Sequence, residues 1–242
     1  MLKIIKTRGV CLFSRKVRET SKLVTFYTEN FGKLNFICKG ARNPKSKYGA
    51  ALEIFTQAEI IFNKSAPKPT YTLSDTNIIN AFPNLKTTEK FFYANQIIEL
   101  ILKSTELEDP NLKLYHLLVS ALKHLNSAKT KKKNNYMSLA GAFFLKAAAL
   151  LGFKPQLRHC VLCKNPQVSS FSIDYGGVIC NSAKHAQSSN TYGINHIKSM
   201  DYLLNKPLSK SLNFSIFKPT LDLIQNYLLF HLERVNLYSL KY

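Results

Sequence analysis

The stretch from Leu23 to Lys47, LVTFYTENFGKLNFICKGARNPKSK, leaves few folds open to this chain. Leu23 to Tyr27 is rich in β-branched and aromatic residues and reads as a strand. Thr28 to Gly32 reads as a short hairpin loop, with Gly32 supplying the positive φ such a loop needs. In Lys33 to Lys39, Leu34, Phe36 and Cys38 alternate with Lys33, Asn35, Ile37 and Lys39, the period of a strand with one buried face. The next nine residues, Lys39 to Lys47, hold four cations (Lys39, Arg42, Lys45 and Lys47), one Gly, one Pro and no acid. No regular element holds that composition, so the segment is expected to be an exposed basic loop at the end of a hairpin. Such a loop suits a phosphate backbone, where each neutralising cation releases a counterion.

The rest of residues 1–80 reads as further short strands: Leu2 to Phe13 with a bend or bulge at Gly9, Glu53 to Asn63, and Tyr71 to Ile79. In Glu53 to Asn63, Ile54, Ala58, Ile60 and Phe62 share a face. Arg15 to Thr20 is a polar connector, and Ser65-Ala66-Pro67-Lys68-Pro69 is a loop. Five strands in about 80 residues suit a small closed barrel, though the pattern does not distinguish one barrel type from another. Most of its aromatics (Phe13, Phe26, Tyr27, Phe31, Phe36, Phe55 and Phe62) are expected to fill the interior. Tyr48, between Lys47 and Gly49, is the candidate base-stacking ring. Arg18, in the polar connector, joins Lys39, Arg42, Lys45, Lys47 and Tyr48 as a nucleic-acid-binding candidate.

Charge strengthens this reading. The chain carries 34 Lys and Arg against 14 Asp and Glu, a net +20. The excess is densest in residues 1–80, with 14 cations against 5 acids. A field of that sign attracts polyanions and speeds their encounter.

Beyond Phe82-Pro83 the period lengthens. Thr87 is placed to N-cap a helix with Phe91, Ala94, Ile98 and Ile101 on one stripe, widened by Ile97, Leu100 and Leu102. Pro110 opens a second helix with Leu114, Leu117, Leu118, Ala121, Leu122 and Leu125 inward. Ser127 to Asn135, with Lys129, Lys131, Lys132 and Lys133, is a basic link, either a second phosphate contact or a solvated loop. Tyr136 to Leu151 is a third helix with Leu139, Ala140, Phe143, Phe144 and Ala147 inward, stopped by Gly152 with Pro155 beyond. From Gly193 the chain returns to helix, first around Ile197, Met200 and Leu203, then over Thr220 to Leu237. His231 on that last helix reads as a core or boundary histidine rather than a ligand.

Residues 156–192 read as a small insertion. Cys160-x-x-Cys163 forms a knuckle, and Phe171 to Cys180 a hairpin turning at Gly176-Gly177. A second complete Cys-x-x-Cys would make a four-cysteine zinc ribbon. Position 183 is Ala183, so His185 is the substitute fourth ligand beside Cys160, Cys163 and Cys180, with His159 a weaker one. Two readings stand: one structural zinc ion, or a metal-free remnant with reduced cysteines in a small core. The insertion lacks a Glu to act as base, so any zinc there is read as structural rather than catalytic.

Several classes are disfavoured. No run of about 18 or more apolar residues marks a membrane span. The N-terminus is interrupted by Lys3 and Lys6 and lacks the apolar stretch of a signal peptide, so a cytoplasmic protein is expected. Five cysteines, an odd number, fit a reducing compartment. The phosphate-cradle and common hydrolytic motifs are missing, and Glu106, Glu108 and Asp109 fall in an inter-helix link. The expectation is a protein that is not an enzyme. An RNA- or ribosome-binding barrel protein and a nucleic-acid-processing enzyme are the alternatives.

The ordered series Leu23-Val24-Thr25-Phe26-x-Thr28-Glu29-x-x-Gly32-Lys33-Leu34, Lys39-Gly40-Ala41-Arg42-x-Pro44-Lys45-Ser46, Leu150-Leu151-Gly152-Phe153-Lys154-Pro155, Cys160-x-x-Cys163 and Gly176-Gly177-Val178-Ile179-Cys180 resembles the RecO family of bacterial DNA repair and recombination mediators. Near the end, Tyr227-Leu228-x-x-His231-Leu232 and Ser239 extend the likeness. It implies a multidomain α+β protein: an OB-fold β-barrel over 1–80, a helical domain over 81–155 and 193–242, and a zinc-ribbon-like insertion over 156–192. It also implies binding of single- and double-stranded DNA, annealing of complementary strands, and loading of the recombinase with RecR. It further implies the acidic C-terminal tail of single-strand-binding protein as a partner and, during repair, association with the nucleoid.

Overall fold

One long strand serves both sides of a barrel. β1 (Lys3–Val17) pairs antiparallel with β2 (Ser21–Thr28) through Gly9 to Val17, and with β4 (Gln57–Lys64) through Lys3 to Val10. It manages both because its register shifts between Cys11 and Phe13, two residues beyond Gly9, and a bulge bends a strand. β3 (Gly32–Cys38) pairs with β2, and β5 (Tyr71–Asn80) pairs with β4. A short parallel contact, Phe36 to Tyr71 and Ile37 to Thr72, joins β3 to β5 and closes the order β1-β2-β3-β5-β4. That closed order is the OB-fold, and it settles the barrel type. The computed structural model describes residues 3–64, 66–129, 132–181 and 191–232. Ser65, Lys131, Ala183, His185, Val235, Leu237 and Ser239 lie outside the described residues.

Alternation places Val24, Phe26, Leu34, Phe36, Cys38, Ala58, Ile60 and Phe62 in the barrel core. Their rings meet edge to face: Phe26 on Phe36 at 6.0 Å and Phe36 on Phe62 at 5.1 Å between centroids. Two boundaries differ from the sequence reading. The polar run after Ser14 stays in β1 as far as Val17, leaving a turn of Arg18, Glu19 and Thr20. Glu53 to Thr56 is not strand; Phe55 takes φ +71° and its ring is buried.

Two compact units divide the chain, Met1–Asn126 and Ser127–Tyr242. In the first, α1 (Thr88–Ser104) and α2 (Leu112–Ser127) accompany the barrel. Thr87 occupies the N-cap position of α1, but its hydroxyl turns back to Asn84 O at 3.0 Å and caps nothing. Asn111 caps α2 through Oδ1 and the Leu114 N–H at 3.0 Å. Gln57 Nε2 of β4 donates to the Tyr115 hydroxyl of α2 at 3.0 Å.

In the second unit, α3 (Lys133–Leu150) is buried on nearly every side and packs against α4 (Ile194–Asn205), α5 (Leu208–Ser211) and α6 (Lys218–His231). Gly141 permits this approach, because a Cβ there would lie 3.2 to 3.3 Å from Ile224, Ile216 and Leu203. Gly152, at φ +95°, ends α3: Phe153 N–H reaches Ala148 O at 2.8 Å and Gly152 N–H reaches Ala149 O at 3.4 Å. The hairpin of the insertion is β6 (Ser170–Ser172) with β7 (Gly177–Ile179), turning at Gly176. β8 (Thr191–Gly193), not foreseen from sequence, adds to the far edge of β6. His231 is half-buried, with its ring 4.4 Å from that of Tyr227.

Candidate nucleic-acid interface and metal centre

The loop after β3 leaves the barrel beside the β1–β2 turn and is tied to it. Arg42 N–H donates to Thr20 O at 3.0 Å, and Arg42 Nη1 donates to Arg18 O at 2.7 Å. Arg18 is left-handed, at φ +52°, which presents its carbonyl to that guanidinium. Within the loop, Asn43 N–H reaches Gly40 O at 3.1 Å and Ser46 N–H reaches Asn43 O at 2.9 Å. These tight turns hold the backbone while Lys39, Arg42, Lys45 and Lys47 stay exposed, as does Arg18. Among the described residues, no carboxylate lies within 4.0 Å of any of the five.

The two latched turns border a groove of about 680 Å³, lined by Val17, Arg18, Ser21, Ile37, Lys39 and Thr72 among others. Ile37 is half-buried on the outer face of β3. Sequence reasoning did not assign it a role, yet the signal was there: it is the apolar residue among Lys33, Asn35 and Lys39 on the polar side of the alternation. Val17 and Ile37 give the groove its apolar area, and Arg18 and Lys39 outnumber the one acid, Glu19, among its charged groups.

Tyr48 does not take the exposed position expected of it. It is 5% exposed, packs in the barrel core, and donates its hydroxyl to Leu73 O at 2.9 Å. The short 3-10 turn at Gly49–Leu52 carries Ala51 and Leu52 into the core and draws Tyr48 in with them. Lys47 remains outside with its Nζ 5.5 Å from the Tyr48 ring centroid.

Lys33, at the opposite end of β3 beside the β2–β3 turn, faces inward. Its Nζ donates to Leu102 O at 2.6 Å and to Thr105 O, at the C-terminus of α1. Burial pulls its ammonium below the ordinary lysine value, against the raising influence of Glu106. The link between α1 and α2 grips the barrel a second time. Glu108, at φ +57°, accepts from Lys64, from the Tyr71 hydroxyl and from Lys68 N–H at 3.1 Å. Burial pushes the Glu108 carboxyl up, but Lys64, Tyr71 and the Lys68 N–H outweigh it and hold it below the usual carboxylate range.

The insertion gathers the Sγ atoms of Cys160, Cys163 and Cys180 within 4.8 Å of one another. The Cys163 and Cys180 sulfurs are 3.6 Å apart, and none of the three cysteines is in a disulfide. Roughly 3.8 Å separates two sulfurs on a tetrahedral ion with Zn–S bonds of about 2.3 Å, so the cluster fits three corners of such a site. The knuckle forms because Lys164 takes φ +63° and returns its N–H to Cys160 O at 2.9 Å. Burial works to raise the Cys160 thiol, but N–H groups of Cys163, Leu162 and Cys180 bring it down to about 6. His185 lies outside the described residues, and His159 is exposed on the surface. The three cysteines can bind a metal ion.

A closed OB barrel with a latched cationic loop, in one chain with a helical unit that carries a three-cysteine knuckle, defines an OB-fold protein with an exposed basic surface on its barrel. The family described as "Recombination protein O N terminal" matches residues 1–82, and that described as "Recombination protein O C terminal" matches residues 85–241. The chain therefore belongs to the RecO family. It is 32% identical over 247 residues to the DNA repair protein RecO of Alkaliphilus metalliredigens (strain QYMF), covering 98% of each chain. It is 29% identical over 242 residues to the DNA repair protein RecO of Pelotomaculum thermopropionicum (strain DSM 13744 / JCM 10971 / SI), covering 96% of this chain and 91% of that one. With the protein of the same name from Pelodictyon phaeoclathratiforme (strain DSM 5477 / BU-1) it shares 33% over 162 residues, 65% of this chain and 59% of the other.

Proposed function

We propose that this chain is a DNA repair and recombination mediator that works without catalysing a reaction. It binds single- and double-stranded DNA through the barrel, anneals complementary strands, and assists recombinase loading, together with RecR, on DNA coated by single-strand-binding protein. The observation that carries this reading is the latch of Arg42 onto Thr20 and Arg18, which holds five exposed cations on one end of an OB barrel. Contacts of this kind position a backbone without reading sequence. Positive charge also screens the repulsion between two strands, which annealing requires.

Replacing Lys39, Arg42, Lys45 and Lys47 together by Ala is expected to weaken single-stranded DNA binding and flatten its salt dependence by about three in log-log slope. Unchanged affinity and slope would remove the loop from the interface. Selective binding of structured RNA, with no DNA annealing, would favour an RNA-binding barrel.

For the thiolate cluster the proposed occupant is one structural zinc ion per chain, held by Cys160, Cys163 and Cys180. Metal analysis of the purified protein tests this, with Cys160→Ser lowering the content. For the acidic tail of single-strand-binding protein, the proposed seat is a groove of about 460 Å³ in the second unit, between the insertion and α4. Leu157, Ile194, Ile197 and Tyr202 give it apolar area, and Arg158, Lys198 and Lys206 outnumber Asp201 among its charged groups.

A further inference from the structure

The second unit is more strongly charged than the barrel unit. Ser127–Tyr242 carries 15 Lys and Arg against 4 Asp and Glu, a net +11 of the chain's +20. No acid occurs between Pro110 and Ile173. Charge this one-sided is not explained by ion pairing and is unspent by the barrel loop.

One corner of the unit combines this charge with a bare aromatic ring. Residues 212–217 form a strap across the first turns of α3. Asn135 Nδ2 donates to Leu212 O at 2.6 Å, Ser215 Oγ donates to Asn135 Oδ1 at 2.8 Å, and Ile216 N–H reaches Ser138 Oγ at 3.0 Å. Ile216 is buried beneath the strap, and Phe214 stacks on Tyr202 at 4.2 Å. The strap is thus pinned on both sides of Phe217, whose own carbonyl accepts from Thr220 N–H at 3.0 Å. Yet Phe217 is 72% exposed. Exposed Lys218 adjoins it, exposed Lys210 precedes the strap, and exposed Lys132 and Lys133 lie at the start of α3, where Asn135 anchors the strap. An exposed ring on a strap pinned by hydrogen bonds, with exposed lysines on the strap's flanks and on the helix it crosses, offers the two elements single-stranded nucleic acid requires: a face for a base and cations for its phosphates.

We infer that this corner, formed by Phe217, Lys218, Lys210, Lys132 and Lys133, is a second binding surface for single-stranded nucleic acid, so that one chain holds two strands. The inference rests on the reading that the barrel loop engages DNA, and gives that reading its second strand. An annealing protein with one site per chain must bring strands together through two chains; this one does it within a single chain.

The test is stoichiometry on the full-length chain with a fluorescent oligo-dT of about eight nucleotides. The parent is expected to bind two oligonucleotides per chain. Lys132→Ala/Lys133→Ala/Lys210→Ala/Lys218→Ala is expected to bind one, the barrel-loop variant one, and the combined variant none. Phe217→Ala is expected to weaken the second event about tenfold, with Phe217→Tyr restoring it. Thermal melting checks that these surface variants remain folded. A parent that binds one oligonucleotide, or corner variants that match the parent, overturns the inference and leaves the barrel reading intact. Loss confined to the corner variants, with the barrel-loop variant binding as the parent does, overturns the barrel reading and keeps the corner.

Discussion

Tyr48 and Glu108 are polar side chains whose roles are set by the partners they meet in the fold. Both are withdrawn from solvent by their partners, Tyr48 by Leu73 O and Glu108 by Lys64, Tyr71 and Lys68. Tyr48→Phe removes one hydrogen bond to Leu73 O and leaves the carbonyl in the core. It is expected to cost about 1 kcal/mol in denaturant unfolding and to leave DNA titrations unchanged. A stacking role for Tyr48 would show the reverse pattern. Glu108 supports a pH-dependent contribution. Its folded carboxyl is held low, so its stabilisation is complete above the ordinary carboxylate range of about 4.3 and fades as pH falls through the folded value. Glu108→Gln is therefore expected to be less stable than the parent by about 1 kcal/mol at pH 7, with the gap closing in acid. Melting curves from pH 7 to pH 3 would show it; a gap that widens in acid contradicts the assignment.

The elements were readable where a period or a punctuating residue carried physical force. Leu34, Phe36 and Cys38 alternate inward in β3, and Gly152 stops α3 with a left-handed turn. The OB order was not readable, because the parallel Phe36–Tyr71 and Ile37–Thr72 contact joins segments whose local patterns are silent about each other. Tyr48 was misplaced for a related reason. Its neighbours Lys47 and Gly49 describe a loop, while its burial is decided by Leu73, 25 residues away. The loop cations raised no such conflict, since exposure of Lys39 or Lys45 follows from its own charge. Two glycines illustrate the difference between local and distant causes. Gly152→Ala meets open space and only a φ penalty, so a loss of about 1 kcal/mol is expected. Gly32→Ala meets the same kind of penalty at φ +64°, and its Cβ would fall 2.1 Å from Asp109 O. At least about 3 kcal/mol is expected there, since backbone must move. Equal losses in thermal unfolding would show that the Gly32–Asp109 contact relaxes freely.

Across the molecule, net charge overstates what faces a ligand. Three lysines are turned inward to helix ends: Lys33 to Leu102 O and Thr105 O of the α1 terminus, Lys90 to Asn126 O of α2, and Lys146 to Leu204 O of α4. Burial lowers the ammonium of each. Each meets the partial negative charge that a helix C-terminus presents. Changing all three to Met removes the same kind of charge as the loop variants do, but is expected to destabilise the fold by about 1 to 2 kcal/mol per site and leave the salt slope of DNA binding unchanged. A slope that falls with these buried substitutions would mean that total charge, not its placement, governs the encounter.

The parallel seam between β3 and β5 also sets an order of events during synthesis. A nascent chain that has made β1, β2 and β3 has a three-stranded meander with both margins open, since β1 waits for β4 and β3 waits for β5. The cylinder shuts only when residues up to Asn80 have left the ribosome. Until then the aromatic lining around Phe36 lies bare beside an unzipped strand, the period in which a chaperone has most to protect.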